Sequence, residues 1–260
     1  MRFTNRVVLV TGGSSGIGEA AAKAFGKEGA AVAVLGTTPG EVERVKNEII
    51  KAGGKALAIL ADIAQPEEVE RAVRETVETF ARLDVVFANA GINGVWAPVD
   101  ELTPEEWDKT LDINLKGTFL TVKYAVPYLK KDGGSIIITS SVNGTRMFSN
   151  TGASAYASSK AAQVAFAKMI ALELAKHKIR VNVICPGTIG TDIESSTERL
   201  NLGTAQEPVA FPNGKIPLTD GDPGTSENVA DLVLFLASDA AKHVSGTEVW
   251  IDGAQSLLQG

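Results

Sequence analysis

Seven short, apolar, β-branched runs punctuate the sequence, at 7–10, 31–35, 56–60, 85–88, 136–139, 181–185 and 248–251. Each is too short for a helix and lacks an apolar/polar alternation, which is the pattern of strands buried on both faces. Between them lie amphipathic stretches of helical period at 16–28, 41–51, 66–81, 104–129, 155–176 and 226–238. Helix-start signals open several of these; at 103–106 Thr103 can cap and Pro104 takes the first helical position. Strand–helix alternation with short connections predicts an α/β fold: a doubly wound, seven-stranded parallel sheet with helices on both faces. No repeat, low-complexity tract or Pro/Ser linker divides the 260 residues, so 1–260 reads as one domain. The stretch 191–225 is different, being rich in Gly, Pro, Asn and Thr and free of periodicity. It follows a strand's C-terminal end, where open α/β sheets bind ligands, and reads as a substrate lid rather than a passive surface excursion.

The same sequence excludes several classes. Cys185 is the single cysteine, and His177 and His243 are the only histidines, so neither an intrachain disulfide nor a Cys/His metal cluster is expected. No apolar stretch approaches the roughly 20 residues of a membrane helix. Residues 1–10 read as a first strand, too short in their apolar run for a signal peptide, so a cytoplasmic chain with no membrane partner is expected. The formal net charge is −6, and the basic runs at 130–131 and 176–180 are short and mixed with apolar residues. A nucleic-acid binder shows a basic face instead, so no such partner is expected.

The first strand runs straight into Thr11-Gly12-Gly13-Ser14-Ser15-Gly16-Ile17-Gly18 and then a helix. Glycines allow a tight turn and close approach to a pyrophosphate, and the helix N-terminus offers free N–H groups. Gly12, Ser14, Ser15, Gly16, Ile17 and Gly18 are therefore candidate cofactor-binding residues. The loop lacks the Gly-Lys-Ser/Thr ending of an ATP- or GTP-binding loop. At the end of the second strand a carboxylate would select NAD and a nearby Arg would favour NADP. Here stand Gly36, Thr37 and Thr38, with no acid to repel a 2′-phosphate and hydroxyls able to donate to it; no Lys or Arg occupies Ser14 or Ser15. NADP(H) is favoured over NAD(H). Asp62, with Ile63 beside it, is placed to meet the adenine, although helix capping near Pro66 is an alternative for Asp62.

Tyr156 and Lys160 lie one turn apart at the start of a long helix. A phenol titrates near 10, and an adjacent ammonium is expected to lower that value toward the useful range. Around this pair stand Ser140-Ser141 ending one strand, Asn89-Ala90-Gly91 ending another, Asn114 on an apolar helical stretch where it needs a partner, and Pro186-Gly187-Thr188-Ile189-Gly190-Thr191 after a third.

Together these segments resemble the short-chain dehydrogenase/reductase superfamily, in the single-domain branch that includes the 3-oxoacyl-carrier-protein reductases. The likeness runs from Thr11 to Ile251-Asp252-Gly253 and keeps T-G-x3-G-x-G, N-A-G, N, S, Y-x3-K and P-G in order. It implies a Rossmann fold and an NAD(P)(H)-dependent oxidoreductase interconverting a ketone or aldehyde and an alcohol. By that resemblance Tyr156 is the general acid or base and Ser141, with Ser140 as the alternative, holds the substrate oxygen. Lys160 tunes Tyr156 and bonds the nicotinamide ribose, and Asn114 anchors a water linking Lys160 to solvent. Asn89, Ala90 and Gly91 line the ribose, and Pro186, Gly187, Ile189 and Thr191 fix the nicotinamide. A homotetramer is implied as well.

Two departures from the family pattern stand out. Ala88 occupies the place of the usual first Asn of N-N-A-G. Ser141 and Tyr156 are 15 positions apart, two more than usual, the extra length falling in 145–155 over the substrate. Asn93, Val95, Trp96, Met147, Phe148 and Phe211 are candidate pocket walls, a set suited to an apolar or mid-sized carbonyl compound. A carrier-linked substrate would call for a cationic patch; Lys130 and Lys131 are candidates, but Leu172 and Glu173 stand where a matching Arg is wanted. A 3-oxoacyl-carrier-protein reductase is therefore an alternative to a broader carbonyl reductase. A non-catalytic dinucleotide sensor is the alternative from another class, disfavoured because all four catalytic candidates are kept. A nucleotide-sugar epimerase is disfavoured by the loop spacing.

Overall fold

In the computed structural model, which describes residues 1–207 and 216–259, the apolar runs form β1 (Val7–Thr11), β2 (Ala31–Gly36), β3 (Lys55–Leu60) and β4 (Val85–Ala88). A short β5 (Gly94–Trp96) precedes β6 (Gly134–Thr139), β7 (Ile179–Pro186), β8 (Thr197–Arg199) and β9 (Glu248–Ile251). The helices are α1 (Gly16–Lys27), α2 (Pro39–Lys51), α3 (Pro66–Phe80), α4 (Pro104–Leu111), α5 (Gly117–Leu129), α6 (Ser154–Ala175), α7 (Ser226–Ala237) and α8 (Gln255–Gln259).

The main sheet has seven strands in the order β3-β2-β1-β4-β6-β7-β9, every pair parallel. Because strand residues alternate faces, the sheet feeds two cores. Leu9, Leu35, Val86, Ile138 and Val183 pack against α3, α5 and α6. Val10, Val34, Phe87, Ile137 and Ile184 pack against α1, α2 and α7. Both sides being covered explains the unbroken apolar runs. The chain leaves β1 toward β2 on one side and returns to β4 on the other, so a crevice opens beyond the C-terminal ends of β1 and β4, the ligand edge of such sheets.

Three features were not expected. The stretch 104–129 is not one helix: a π-helical turn, Asp112–Lys116, separates α4 from α5. Such single turns occur mostly where a side chain must be presented to a site, and here Asn114 is the residue presented. Its N-terminal signal does hold, since Thr103 and Glu106 form a reciprocal capping box, with N–H to oxygen distances of 3.3 and 2.9 Å. Second, the aperiodic stretch after β7 contains β8, which pairs in parallel with β5 as a separate two-stranded sheet. Among its described residues are also short 3₁₀ turns at Asp192–Ser196, Leu202–Thr204 and Pro217–Thr219. Third, α8 closes the described chain. Phe211 lies outside the described residues.

Candidate active site

The loop between β1 and α1 is shaped by glycines at positions no other residue fits. A side-chain carbon on Gly18 would lie 2.0 Å from the Gly12 carbonyl oxygen, and one on Gly12, whose φ is +62°, would lie 2.9 Å from Ala90 Cα. Asn89 staples this loop to the sheet: its amide donates to the carbonyls of Thr11 and Gly12 at 3.3 and 3.4 Å. Its oxygen accepts the Thr139 hydroxyl at 3.1 Å, and the Thr11 hydroxyl oxygen takes the N–H groups of Asn89 and Ala90. Ser15 precedes α1 without capping it, so the first-turn N–H groups of Gly16, Ile17 and Gly18 have no side-chain acceptor. That arrangement fits a pyrophosphate.

Thr37 and Thr38 are exposed at the end of β2. Sequence reasoning missed Arg44 on α2, which reaches across to donate to the Ser14 carbonyl at 3.0 Å. Its charge is balanced. Glu19 binds it at 2.7 Å, and Lys23 and Glu48 complete a cluster of two cations and two anions. The hydrogen bond from Arg44 is the main reason the Glu19 carboxyl falls to about 2. Asp62 makes a local turn, one carboxylate oxygen accepting the Ala64 N–H at 2.9 Å, while Gln65 rather than Asp62 takes the N-cap of α3. Ile63 is buried against Gly117, where an added methyl would come within 2.5 Å of its Cδ1.

Ser141, Tyr156, Lys160 and Asn114 come together between β6, α6 and the π turn, and all four are buried. The adjacent serines divide their labour. Ser140 donates to the Lys160 backbone carbonyl at 2.8 Å, which commits it to holding α6. The Ser141 hydroxyl accepts the Asn143 N–H at 3.1 Å and is placed to favour the ionised form of the Tyr156 phenol. Lys160 Nζ donates to the Thr139 carbonyl at 3.0 Å and stands 5.6 Å from the Tyr156 ring centre.

Burial sets the electrostatics. It lowers the Lys160 ammonium to about 8, with nearby Cys185 pulling weakly the other way. It also raises the Tyr156 phenol above its ordinary value, opposed by the hydrogen bond with Ser141. The expectation that Lys160 draws the phenol down is therefore corrected. The ammonium is engaged by the Thr139 carbonyl, and loss of hydration at the phenol sets the direction of its shift.

Asn114 is almost fully engaged. Its side chain exchanges hydrogen bonds with the Ile92 backbone at 2.8 and 2.9 Å and donates to Ser159 Oγ at 3.0 Å, which donates to the Tyr156 carbonyl. Its own carbonyl accepts Thr118 Oγ1 and Gln163 Nε2. One lone pair on Asn114 Oδ1 remains for a water. Gln163 and Ser159 gave no signal in the sequence beyond being polar residues on a buried helix face.

The segment after β7 is held from below. Gly187 N–H donates to the Ile251 carbonyl at 3.0 Å, and Gln255 bonds the Thr188 backbone and hydroxyl. Pro186 accepts the Val142 N–H, Ile189 bridges to Gly224, and Thr191 packs against Gly16. Among the wall candidates, Trp96 stacks at a tilt on Tyr156, ring centres 6.5 Å apart. Val95 is half-buried in β5. Asn93 is turned to β8 instead, its amide donating to Thr197 Oγ1 at 2.7 Å. Met147 is buried, and Phe148 is 75% exposed. Trp96, Met147 and Phe148 border a cavity of about 830 Å³, whose lining includes Ala157 and Ser158 of α6 but none of Asn114, Ser141, Tyr156 and Lys160. Among the described residues there is no metal-binding cluster and no helix long and apolar enough to cross a membrane.

Residues 12–254 match a family model described as enoyl-(acyl carrier protein) reductase. Cyclohexanol dehydrogenase of Acinetobacter sp. (strain SE19) is 36% identical over 97% of this chain and 96% of its own. Levodione reductase of Leifsonia aquatica is 36% identical over 98% and 96%. Among solved structures, a 3-ketoacyl-ACP reductase from Sinorhizobium meliloti 1021 superposes with a TM-score of 0.93 and 52% identity, covering 97% of this chain and 99% of that one. A short chain dehydrogenase from Burkholderia cenocepacia J2315 in complex with NADP gives a TM-score of 0.85 and 32% identity, over 97% and 98%.

Proposed function

The chain belongs to the short-chain dehydrogenase/reductase superfamily, whose members are NAD(P)-dependent oxidoreductases, and from that premise we propose that it interconverts a ketone or aldehyde and an alcohol, with Tyr156 moving the proton. The observation that carries this reading is the convergence of the buried Tyr156, Ser141, Lys160 and Asn114, with Lys160 Nζ 5.6 Å from the Tyr156 ring centre. A bound nicotinamide supplies or accepts the hydride. In the reducing direction Ser141 Oγ and Tyr156 Oη both meet the carbonyl oxygen, and Oη gives up its proton as negative charge builds there. A phenol carries its proton at neutral pH, and because burial here resists its ionisation, the transfer depends on groups that favour the phenolate. Lys160 Nζ stabilises the phenolate left behind, and Asn114 braces the start of α6 through Ser159.

Gly12, Ser14–Gly18, Asn89–Gly91, Pro186, Gly187, Ile189 and Thr191 would hold the nucleotide, and Asp62 and Ile63 its adenine. NADP(H) is the favoured form: Thr37 and Thr38 present hydroxyls where a carboxylate would repel a 2′-phosphate. Residues 1–260 act as one catalytic domain with 191–225 as lid, and copies assemble as a cytoplasmic homotetramer through α6, where Met169 and Leu172 are exposed, and through the C-terminal strand β9. The substrate is a small carbonyl compound. A carrier-linked 3-oxoacyl group is the second reading, favoured by the 52% identity to the Sinorhizobium protein. The test is loss of nicotinamide absorbance with NADPH and with NADH over acetoacetyl thioester, cyclic and aryl ketones, diketones and keto-sugars. Turnover of one class supports the reading and names the substrate. Nucleotide binding without turnover of any class overturns it in favour of a sensor.

A further inference from the structure

Thr145 and Trp250 lie outside the four residues above, yet they end a hydrogen-bond chain on the backbone of Ser141. The Trp250 indole N–H donates to Thr145 Oγ1 at 3.2 Å. That hydroxyl donates to the Ser141 carbonyl at 2.7 Å, with the Val142 carbonyl at 3.2 Å. An indole only donates and a hydroxyl has one proton, so the direction is fixed from Trp250 through Thr145 to Ser141. A donor feeding the Thr145 oxygen polarises its O–H and strengthens the second bond.

Both ends of the chain are anchored. Trp250 belongs to β9 and sits in register with Cys185 of β7, while the Arg146 guanidinium lies over its ring, 3.6 Å from the centre. The Arg146 and Met147 N–H groups both close on the Val142 carbonyl at 2.9 Å, so the turn that begins at Ser141 is tied to the edge of the sheet. Thr145 opens the segment, 145–155, that is longer than the family pattern, and a longer loop carries more conformational freedom for something to restrain.

We propose that Trp250 and Thr145 are positioning residues for Ser141, holding the turn after β6 so that Ser141 Oγ faces Tyr156. The inference rests on the role given to Ser141 above. Trp250→Phe removes the indole N–H while leaving a six-membered aromatic ring under Arg146, and Thr145→Val breaks the same bond without touching that ring. Kinetics are measured on the full chain with NADPH and cyclohexanone, or the fastest member of the carbonyl panel. Trp250→Phe lowers kcat on the order of fivefold, the worth of one ordinary hydrogen bond expressed in the transition state, with NADPH affinity unchanged. Thr145→Val does the same, the double variant loses no more than either single one, and Thr145→Ser keeps the parent kcat. Should Thr145→Val fail to fold, Trp250→Phe and Thr145→Ser decide the matter. An unchanged kcat in Trp250→Phe, losses that multiply in the double variant, or parallel falls in NADPH affinity and Tm would overturn the proposal. Ser141→Ala in the same assay separates the two claims: if it retains turnover, the role of Ser141 itself is wrong.

Discussion

Replacing Lys160 by Met should stabilise the protein at neutral pH while abolishing its turnover. The ammonium is buried and falls from its ordinary 10.5 to about 8, which at about 1.36 kcal/mol per tenfold change in proton affinity corresponds to roughly 3 kcal/mol of destabilisation. Methionine fills a similar volume without charge, so that cost is relieved. It leaves the Thr139 carbonyl without the donor now 3.0 Å away, a loss of about 1–2 kcal/mol. The net gain is therefore about 1–2 kcal/mol near pH 7. Its pH dependence follows from the sign of the shift. Below about 8 the lysine is charged in both the folded and the unfolded chain, and the penalty is complete. As pH rises from about 8 toward 10.5 the folded form has shed its proton while the unfolded form still binds one, so the parent gains stability and the advantage of the variant shrinks. Urea unfolding of both proteins from pH 6.5 to 10, at matched m-values, measures the difference. A variant less stable than the parent at pH 7, or a difference that does not vary with pH, would refute the claim that burial governs this lysine.

Three further predictions are direct. Gly18→Ala places a methyl 2.0 Å from a backbone oxygen, so NADPH affinity should fall by about tenfold or more by titration; affinity within twofold of the parent contradicts the loop geometry. Thr37→Asp introduces charge where a 2′-phosphate is placed, and the ratio of NADPH to NADH turnover should move about tenfold toward NADH. No movement would put the discriminating contact elsewhere. Ser140→Ala removes a buried bond to the Lys160 carbonyl and should cost about 1 kcal/mol of stability while sparing kcat, whereas Ser141→Ala, which loses the bond from Asn143, should cost about as much stability and remove kcat. The opposite pattern in kcat would exchange their roles.

The seven strands of the main sheet were legible because a sheet covered on both faces turns every strand into an apolar run, and 7–10 and 136–139 need no partner to be recognised. Asn114, Ser141, Tyr156 and Lys160 were picked out through the resemblance that the order of motifs carries, and the fold brings them to one buried place. Other features depend on contacts between distant segments. The π turn around Asn114 leaves no mark in the sequence, since 104–129 keeps helical periodicity through it; the turn appears when Asn114 meets the Ile92 backbone. Strand β8 is three residues long and exists through its pairing with β5. Arg44 is seven positions beyond Thr37 in sequence and reaches the glycine loop because α2 folds back beside it. The expected lowering of the Tyr156 phenol failed for a related reason: spacing placed the ammonium one turn away, but burial of both groups and the Thr139 carbonyl decided the balance.

The central claim is that the Tyr156 hydroxyl moves the proton that accompanies hydride transfer. Tyr156→Phe, assayed for NADPH binding and for carbonyl reduction in the same preparation, tests it most directly. Turnover lost by several orders of magnitude with NADPH affinity within about twofold of the parent is the predicted result. Turnover comparable to the parent would contradict the account.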